Sequence, residues 1–450
     1  MFKFRFFWVD LQLEAVVFLW YNLIMFFVVS FGLPIFVVLL LKPKRRSAFW
    51  HRLSWTIERQ LKPFTSVDNR RPFWIHALSV GEVISAQPLV ESLKRRFPDQ
   101  PLVFSSSTRT GMETANRLFS SQVAAIFYQS YDFLWSVRRV IDNVDPALVV
   151  VIETDMWPNF MLEIKRRGIP ALLVNARLSK SSFRGYRLIA SSIAKVLGCF
   201  SWIGVQTRED ANRFIDIGMP RERVVVTGNI KFDQYTGEDP VAESFLLRKR
   251  AGFNSKRKIL LLGSTHEGEE SAIFDAYARL KQKFKDLLLI VAPRDPERAA
   301  AVEKEARTAG LTAGIVTAWT FTKVHHTCDV LVIGVMGMLS RLYAVADIAF
   351  VGGSLVRQGG HNPLEPARYA KPILFGPDMS DFADIACKLK QAGGAICIEN
   401  STMIYSTLEK LVADDLMRNG MGDRAFNVFR SNRGAVRKTM EMISYLHTER

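Results

Sequence analysis

The stretch Phe73-Trp74-Ile75-His76-Ala77-Leu78-Ser79-Val80-Gly81-Glu82 is where the fold can be read. Its first five residues form a short apolar and aromatic run, the composition of a buried strand. Ser79, Gly81 and Glu82 interrupt that run, and from Val83 to Arg96 the apolar residues recur at helical spacing. A second β-rich run follows at Leu102–Ser105. Strand, helix and strand within roughly thirty residues make a βαβ unit with its strands parallel.

The same alternation continues outward. Strands are expected at Ala147–Ile152, Ala171–Asn175, Trp202–Gln206 and Val224–Thr227, with helical stretches such as Trp157–Arg167 between them. From Gln234 to Pro240 the chain is polar and without period, as a linker would be. The alternation restarts at Ile259–Leu262, Leu287–Ala292, Asp329–Ile333, Ile348–Val351 and Pro372–Phe375. Two successive doubly wound α/β domains are the simplest topology. The expected division is 1–46 for an N-terminal anchor with a basic collar, 47–233 for the first domain, 234–241 for the linker and 242–450 for the second domain. Leu408 to His447 reads as helical, and a return to the first domain is one reading of it. Ligands of such sheets bind outside the carboxyl ends of the strands, so a cleft between the two domains is the expected site.

With 450 residues, 48% of them hydrophobic, the chain can bury two cores, and its 23% charged residues exclude general disorder. The net charge of +16 calls for an anionic partner. No nucleic-acid-binding motif accompanies that charge, which leaves an anionic membrane or a phosphorylated substrate. Cys199, Cys328, Cys387 and Cys397 form no C-x-x-C pair and suit a reducing compartment. Cys328 lies near His325, His326 and Asp329. Zinc ligands come from separated pairs, however, so a solvated loop and no metal are expected there.

Between Ala15 and Leu41 there is no charged residue. A helix needs about 20 apolar residues to cross a bilayer. Lys42, Lys44, Arg45 and Arg46 follow at once, whereas Lys3 and Arg5 are offset by Asp10 and Glu14. This asymmetry predicts a single-pass anchor with the body on the cytoplasmic side and the basic collar against anionic headgroups. Pro34 divides the run, so a helix lying in the interface is the other reading. No small-residue cleavage site follows Leu41, which argues against a signal peptide.

Five short strings carry chemistry. Glu82, opening a helix just after a strand, is placed to act as a general base, while Ser79-x-x-Glu82 also has the form of a capping box. His361-Asn362-Pro363-Leu364-Glu365 follows Gly352, Gly353, Gly359 and Gly360. Asn362 suits a helix cap, Pro363 the first helical position and Glu365 the third, and such a start can hold a phosphate. Arg294, after Pro293 at a strand end, offers a fork to phosphate or carboxylate. Ser264-Thr265-His266-Glu267 is a second capping-box match, and Ser105 to Gly111 is a polar loop with Arg109 in it. No G-x-G-x-x-G, no P-loop and no Asp-x-Asp occurs, which disfavours nicotinamide or flavin cofactors, nucleotide hydrolysis and a metal-bridged diphosphate donor.

Further strings stand in order with these: Trp74 to Ala77, Met156-Trp157-Pro158-Asn159, Asn175-Ala176-Arg177-Leu178-Ser179 and Thr227-Gly228-Asn229-Ile230-Lys231-Phe232-Asp233. As a series, from the anchor to about Phe382, they resemble the 3-deoxy-D-manno-octulosonic acid (Kdo) transferase family of lipopolysaccharide biosynthesis. The resemblance implies a GT-B fold, two Rossmann-like domains facing a cleft. It implies CMP-Kdo as donor and the phosphorylated lipid A precursor (lipid IVA) as acceptor, on the inner membrane of a bacterium. It implies inversion without metal or cofactor, with Glu82 as proton acceptor. CMP is then held by Pro293, Arg294, Met336, Gly337, Met338, Asn362, Pro363, Leu364 and Glu365. Four positions depart from the family pattern: Met338 stands where Glu is usual, Asp295 for His, Asp381 for Asn and Asp155 for Glu. Two alternatives stand beside this: a GT-B enzyme using another nucleotide sugar, which a donor panel separates, and a catalytically impaired nucleotide-binding homologue, marked by tight CMP binding with no turnover on any lipid acceptor.

Overall fold

The computed structural model describes residues 21–23, 25, 27, 31, 51–65, 70–153, 156–234, 240–253, 257–319 and 328–448. The anchor expected over 15–41 falls almost wholly outside these residues, as do His325, His326 and Asp155. Among the described residues no helix is long and apolar enough to cross a membrane. The chain divides into two compact units, one of residues 1–234 with 433–450 and one of residues 235–432.

The first unit is built on seven strands: β1 Phe73–Ala77, β2 Leu102–Ser106, β3 Ala125–Tyr128, β4 Leu148–Ile152, β5 Ala171–Ala176, β6 Trp202–Val205 and β7 Val224–Val226. Their order is β3-β2-β1-β4-β5-β6-β7, with every neighbouring pair parallel. β1, β2, β4 and β5 are buried at every residue. That is the expected state of strands covered by helices on both faces, and it explains their near-continuous apolar runs. Alternation sends Trp74, Val149 and Leu173 into one core layer with Phe160. Phe73, Ile75, Phe104 and Val150 enter the other layer with Leu89.

The second unit repeats the plan with β8 Ile259–Thr265, β9 Leu288–Pro293, β10 Ala313–Val316, β11 Val330–Ile333, β12 Ile348–Val351, β13 Ile373–Phe375 and β14 Ala395–Cys397. The order is β10-β11-β9-β8-β12-β13-β14, again all parallel. Each sheet therefore has one place where the chain reverses its direction of travel across the strands. It lies between β1 and β4 in the first sheet and between β8 and β12 in the second. Loops diverge at such a point and leave a crevice at the carboxyl ends.

One boundary differs from the sequence division. The helix Ala435–Thr448, placed by the sequence within a second domain of 242–450, belongs to the first unit. Val436, Met442 and Ile443 complete the core layer that holds Phe73 and Ile75. The Asp233 carboxylate accepts from the amides of Gly434 and Val436, both at 2.7 Å, and so fixes the helix start. The helical period of this segment is visible in the sequence, but the surface it covers is contributed by residues far upstream.

Candidate active site

At the reversal of the first sheet, the chain leaves β1 through Leu78 and Ser79 and enters the helix Val80–Arg96. Glu82 sits at the third position and folds back on the helix start. Its carboxylate accepts from the Leu78 amide at 2.5 Å, the Ser79 amide at 3.4 Å and the Ser79 hydroxyl at 3.2 Å. The capping box is thus formed. It also locks Glu82 into one rotamer, half-buried, at the carboxyl edge of the sheet. Gly81 beside it is exposed, with open space where a Cβ would stand, so the start of the helix is left open to approach. The Ser106 hydroxyl donates to the Leu78 carbonyl at 3.1 Å and ties this loop to the end of β2. In the loop after β2, Thr108 caps the helix Arg109–Phe119 through the Gly111 amide, and Arg109 pairs with Glu113 at 2.8 Å. This loop takes the capping role, while the buried Ser107 hydroxyl has no hydrogen-bond partner among the described residues.

Across the reversal, the loops after β4, β5, β6 and β7 interlock through side chains that the sequence reading did not single out as functional. Glu153 (φ 62°) and Asn175 (φ 60°) both hold the left-handed backbone conformation that non-glycine residues seldom adopt. Asn175 donates to Glu153 at 3.4 Å and accepts from the Ile230 amide at 3.1 Å. Gln206 donates to the Asn175 carbonyl at 3.0 Å and accepts from Asn229 at the same distance. Lys231 lies 3.9 Å from the Glu153 carboxylate. The strings Asn175–Ser179 and Thr227–Asp233 carried this signal, but no spacing rule shows that loops 55 residues apart meet.

The reversal of the second sheet is organised by Glu269, which has no exposed surface. One carboxylate oxygen accepts from the amides of His266 at 2.9 Å and Gly353 at 2.7 Å. The other accepts from Ser354 at 3.0 Å and Leu355 at 2.9 Å. A single anion thereby joins the loop after β8 to the loop after β12. The approach is close enough that a Cβ on Gly352 would lie 2.4 Å from the Ser264 carbonyl oxygen, and Ser264 itself has φ 56°. Stitched in this way, the two loops hold the rings of His266 and His361 edge to edge and nearly coplanar, with centroids 5.1 Å apart and planes at 10°. Their Nε2 atoms are 2.9 Å apart. Burial first, then the Arg294 guanidinium and His266, holds the His361 imidazole down at about 4. Arg294 is exposed at the end of β9, its amide bonded to the Thr265 carbonyl at 3.0 Å, while Pro293 is buried. Arg298, one turn on, is committed to the buried Glu270 at 2.9 Å.

The expected phosphate cradle at Asn362 differs in detail. The helix runs Leu364–Arg368, so Pro363 rather than Asn362 holds the cap position. The Asn362 side chain accepts from the Leu364 amide at 3.1 Å. Five residues build little macrodipole. Glu365 is half-buried and faces Tyr343, whose phenol it helps to keep protonated alongside burial. In the 336–338 segment, Met336 is 66% exposed and Gly337 takes φ 86° with open space about it. Met338 is buried in a core layer with Tyr343 and Leu342.

Residues 47–234 match the family model described as 3-Deoxy-D-manno-octulosonic-acid transferase (kdotransferase). A 3-deoxy-D-manno-octulosonic acid transferase of Haemophilus influenzae is 34% identical over 376 residues, which is 82% of this chain and 86% of that protein. The enzyme of the same name from Bordetella pertussis is 30% identical over 83% of this chain and 86% of its own length. Among solved structures, a UDP-GlcNAc 2-epimerase from Neisseria meningitidis superposes with a TM-score of 0.56 at 15% identity, over 84% of this chain and all of that one, a likeness of fold alone. The two parallel sheets are those of a GT-B-like fold, and the chain belongs to the 3-deoxy-D-manno-octulosonic acid transferases, a family of glycosyltransferases.

Proposed function

We propose that the chain transfers Kdo from CMP-Kdo to the phosphorylated lipid A precursor, lipid IVA, with inversion at the anomeric carbon and with Glu82 as the general base. The reading is carried by the Haemophilus likeness, whose 376 matched residues exceed either compact unit and so draw on both. In this reaction an acceptor hydroxyl attacks the anomeric carbon of Kdo while Glu82 takes its proton. The bond to the CMP phosphate breaks, and its electron pair stays on the phosphate oxygen. One displacement of this kind inverts the centre. The capping-box bonds hold Glu82 in a fixed orientation, as a positioned base requires.

The donor is held in the second unit. Arg294 meets the phosphate, and the 336–338 turn and residues 362–365 enclose the nucleotide. Arg294 and the exposed amides stabilise the charge that grows on the departing phosphate. The run from Ala15 to Leu41 and the basic residues Lys42, Lys44, Arg45 and Arg46 set the body on the cytoplasmic face of the inner membrane, where a phosphorylated lipid presents its head group to a chain of net charge +16.

The deciding experiment incubates purified protein with CMP-Kdo and the lipid A precursor and counts added sugars by mass spectrometry. Addition of one or more Kdo units is expected. Transfer from a UDP-sugar with none from CMP-Kdo would overturn the reading.

A further inference from the structure

We propose that the apolar run from Ala15 to Leu41 enters and leaves one leaflet of the bilayer instead of crossing it, because Tyr21 and Asn22 latch it to the first unit. Its partner is then the acyl layer of the cytoplasmic leaflet alone. The inference rests on the reading that the body lies on the cytoplasmic side, and it gives a role to two polar residues that an apolar anchor does not need.

The run carries no charge, and Asn22 is its one carboxamide. Tyr21, Asn22 and Leu23 are helical, and the first two reach the body. The Tyr21 hydroxyl donates to the Asp132 carboxylate at 2.9 Å. Asn22 and Asn159 exchange two bonds: the Asn22 amide donates to the Asn159 oxygen at 2.9 Å, and the Asn159 amide donates to the Asn22 oxygen at 3.0 Å. The receiving side chains are built into the first unit. Asp132 and Asn159 are both buried. The Asp132 carboxylate accepts from the backbone amides of Asn159 at 2.8 Å and Phe160 at 2.9 Å, which holds the first turn of the helix Pro158–Arg166. The Asn159 side chain also donates to the Asp132 carbonyl. A carboxamide has two N–H groups and one carbonyl oxygen. Asn22 takes the N–H and the oxygen of Asn159 that Asp132 leaves over, groups that are costly to bury bare.

The latch decides the topology. Lys42, Lys44, Arg45 and Arg46 hold the end of the run on the body's side of the membrane. About 20 residues separate Asn22 from Lys42, and as one straight helix they reach about 30 Å, the depth of the hydrocarbon core. A span would carry Asn22 to the far face, out of reach of a body that stays with the basic collar. Asn22 bonded to Asn159 instead puts both ends of the run on one side. Gly32 and Pro34, between those ends, are residue types at which a helical path breaks. The apolar surface agrees. Leu23, Phe27 and Phe31 recur every fourth residue and are all exposed, Phe31 to 78%. They form a stripe suited to acyl chains. Near the latch, Trp55 and Trp135 are exposed as well, and their chain neighbours Ser54 and Ser136 bond at 2.7 Å, which brings the two tryptophans onto adjoining segments. Tryptophan favours the boundary between acyl chains and headgroups. Asn159 opens the helix that follows β4, beside the reversal of the first sheet. The latch therefore seats that end of the first unit at the membrane surface, where a lipid acceptor meets it without leaving the leaflet.

The test is the sidedness of the segment that precedes the run. A short uncharged epitope is placed ahead of Met1 of the full chain, and antibody is applied to spheroplasts of a Gram-negative host before and after the inner membrane is opened. The expected result is binding after opening and none before. Binding to intact spheroplasts, with the exposed Cys387 still shielded from an impermeant maleimide, overturns the inference and leaves the cytoplasmic body standing. Labelling of Cys387 in intact spheroplasts overturns the placement of the body itself. A second measurement addresses the latch. Asn22→Leu and Asn159→Leu should each lower the melting temperature of the protein in lipid vesicles, and the double variant should lose less than the sum of the two, because the partners bond to each other. Strictly additive losses overturn the latch. The epitope measurement needs no substitution in the body, so it decides the topology even where Asn159→Leu fails to fold.

Discussion

Glu82 answers two demands with one carboxylate, and the capping contacts and the proposed chemistry separate under substitution. Glutamine keeps an oxygen that accepts from the Leu78 and Ser79 amides. Glu82→Gln should therefore change stability by less than about 1 kcal/mol, which a melting curve checks. Turnover should fall by roughly 10²–10⁴-fold while CMP-Kdo still binds; retained turnover would leave Glu82 as a cap only. Gly352 is constrained by distance. A methyl group there meets the Ser264 backbone oxygen at 2.4 Å, and backbone cannot swing aside as a side-chain tip does. Gly352→Ala should cost about 1–3 kcal/mol in urea unfolding and weaken CMP binding by pushing apart the loops that carry His266 and His361. The sequence showed Gly352 as one of several glycines near Asn362, but not that its neighbour is Ser264. Met338 was legible only as a departure from pattern, and its burial now accounts for the apolar residue.

The elements most readily read from sequence were the central strands. β1, β4, β8 and β12 are buried throughout, and such strands have to be apolar in runs. Three strands escaped the sequence reading: β3, β10 and β14. Each lies at a sheet edge with only part of its length buried, so its residues need not form a run. Glu269 was invisible for a related reason. The capping-box match at Ser264 stops at Glu267, and only the folded sheet shows Glu269 bonding a loop 84 residues away. Glu269→Ala leaves four amides without their acceptor. The unfolding free energy should drop by roughly 3 kcal/mol or more, measured by chemical denaturation, with CMP affinity lost in parallel. In the helix Pro158–Arg166, Glu163 is buried among Arg138, Arg166 and Arg167. Hydrogen bonds from Arg166, opposed by burial and reinforced by Arg167, pull its carboxyl down to about 2. Its folded value lies below the unfolded one near 4.3. Its contribution is therefore present above that pH and is lost as pH falls toward 2. Urea midpoints taken between pH 6 and pH 2 should fall less steeply in Glu163→Gln than in the parent.

At the scale of the molecule, two like sheets were legible from the repeated alternation, whereas the route of the chain was not. Nothing in the amphipathic pattern of Ala435–Thr448 states which unit it covers, because both units offer apolar faces. The Asp233 carboxylate decides it, across 201 residues to Gly434. Asp233→Ala should destabilise the first unit by about 1–2 kcal/mol, the worth of a lost cap. Hydrogen exchange should quicken on β1 and the helix Val80–Arg96 while β8 and β9 keep their protection. This threading also bears on biosynthesis. A ribosome emits the seven strands of the first sheet well before it emits the helix that seals one side of them. That sheet must wait, with Phe73 and Ile75 incompletely shielded, while the whole second unit is translated and free to fold. A chain truncated after residue 432 and released should therefore hold a protease-resistant second unit and a first unit that chaperones still grip.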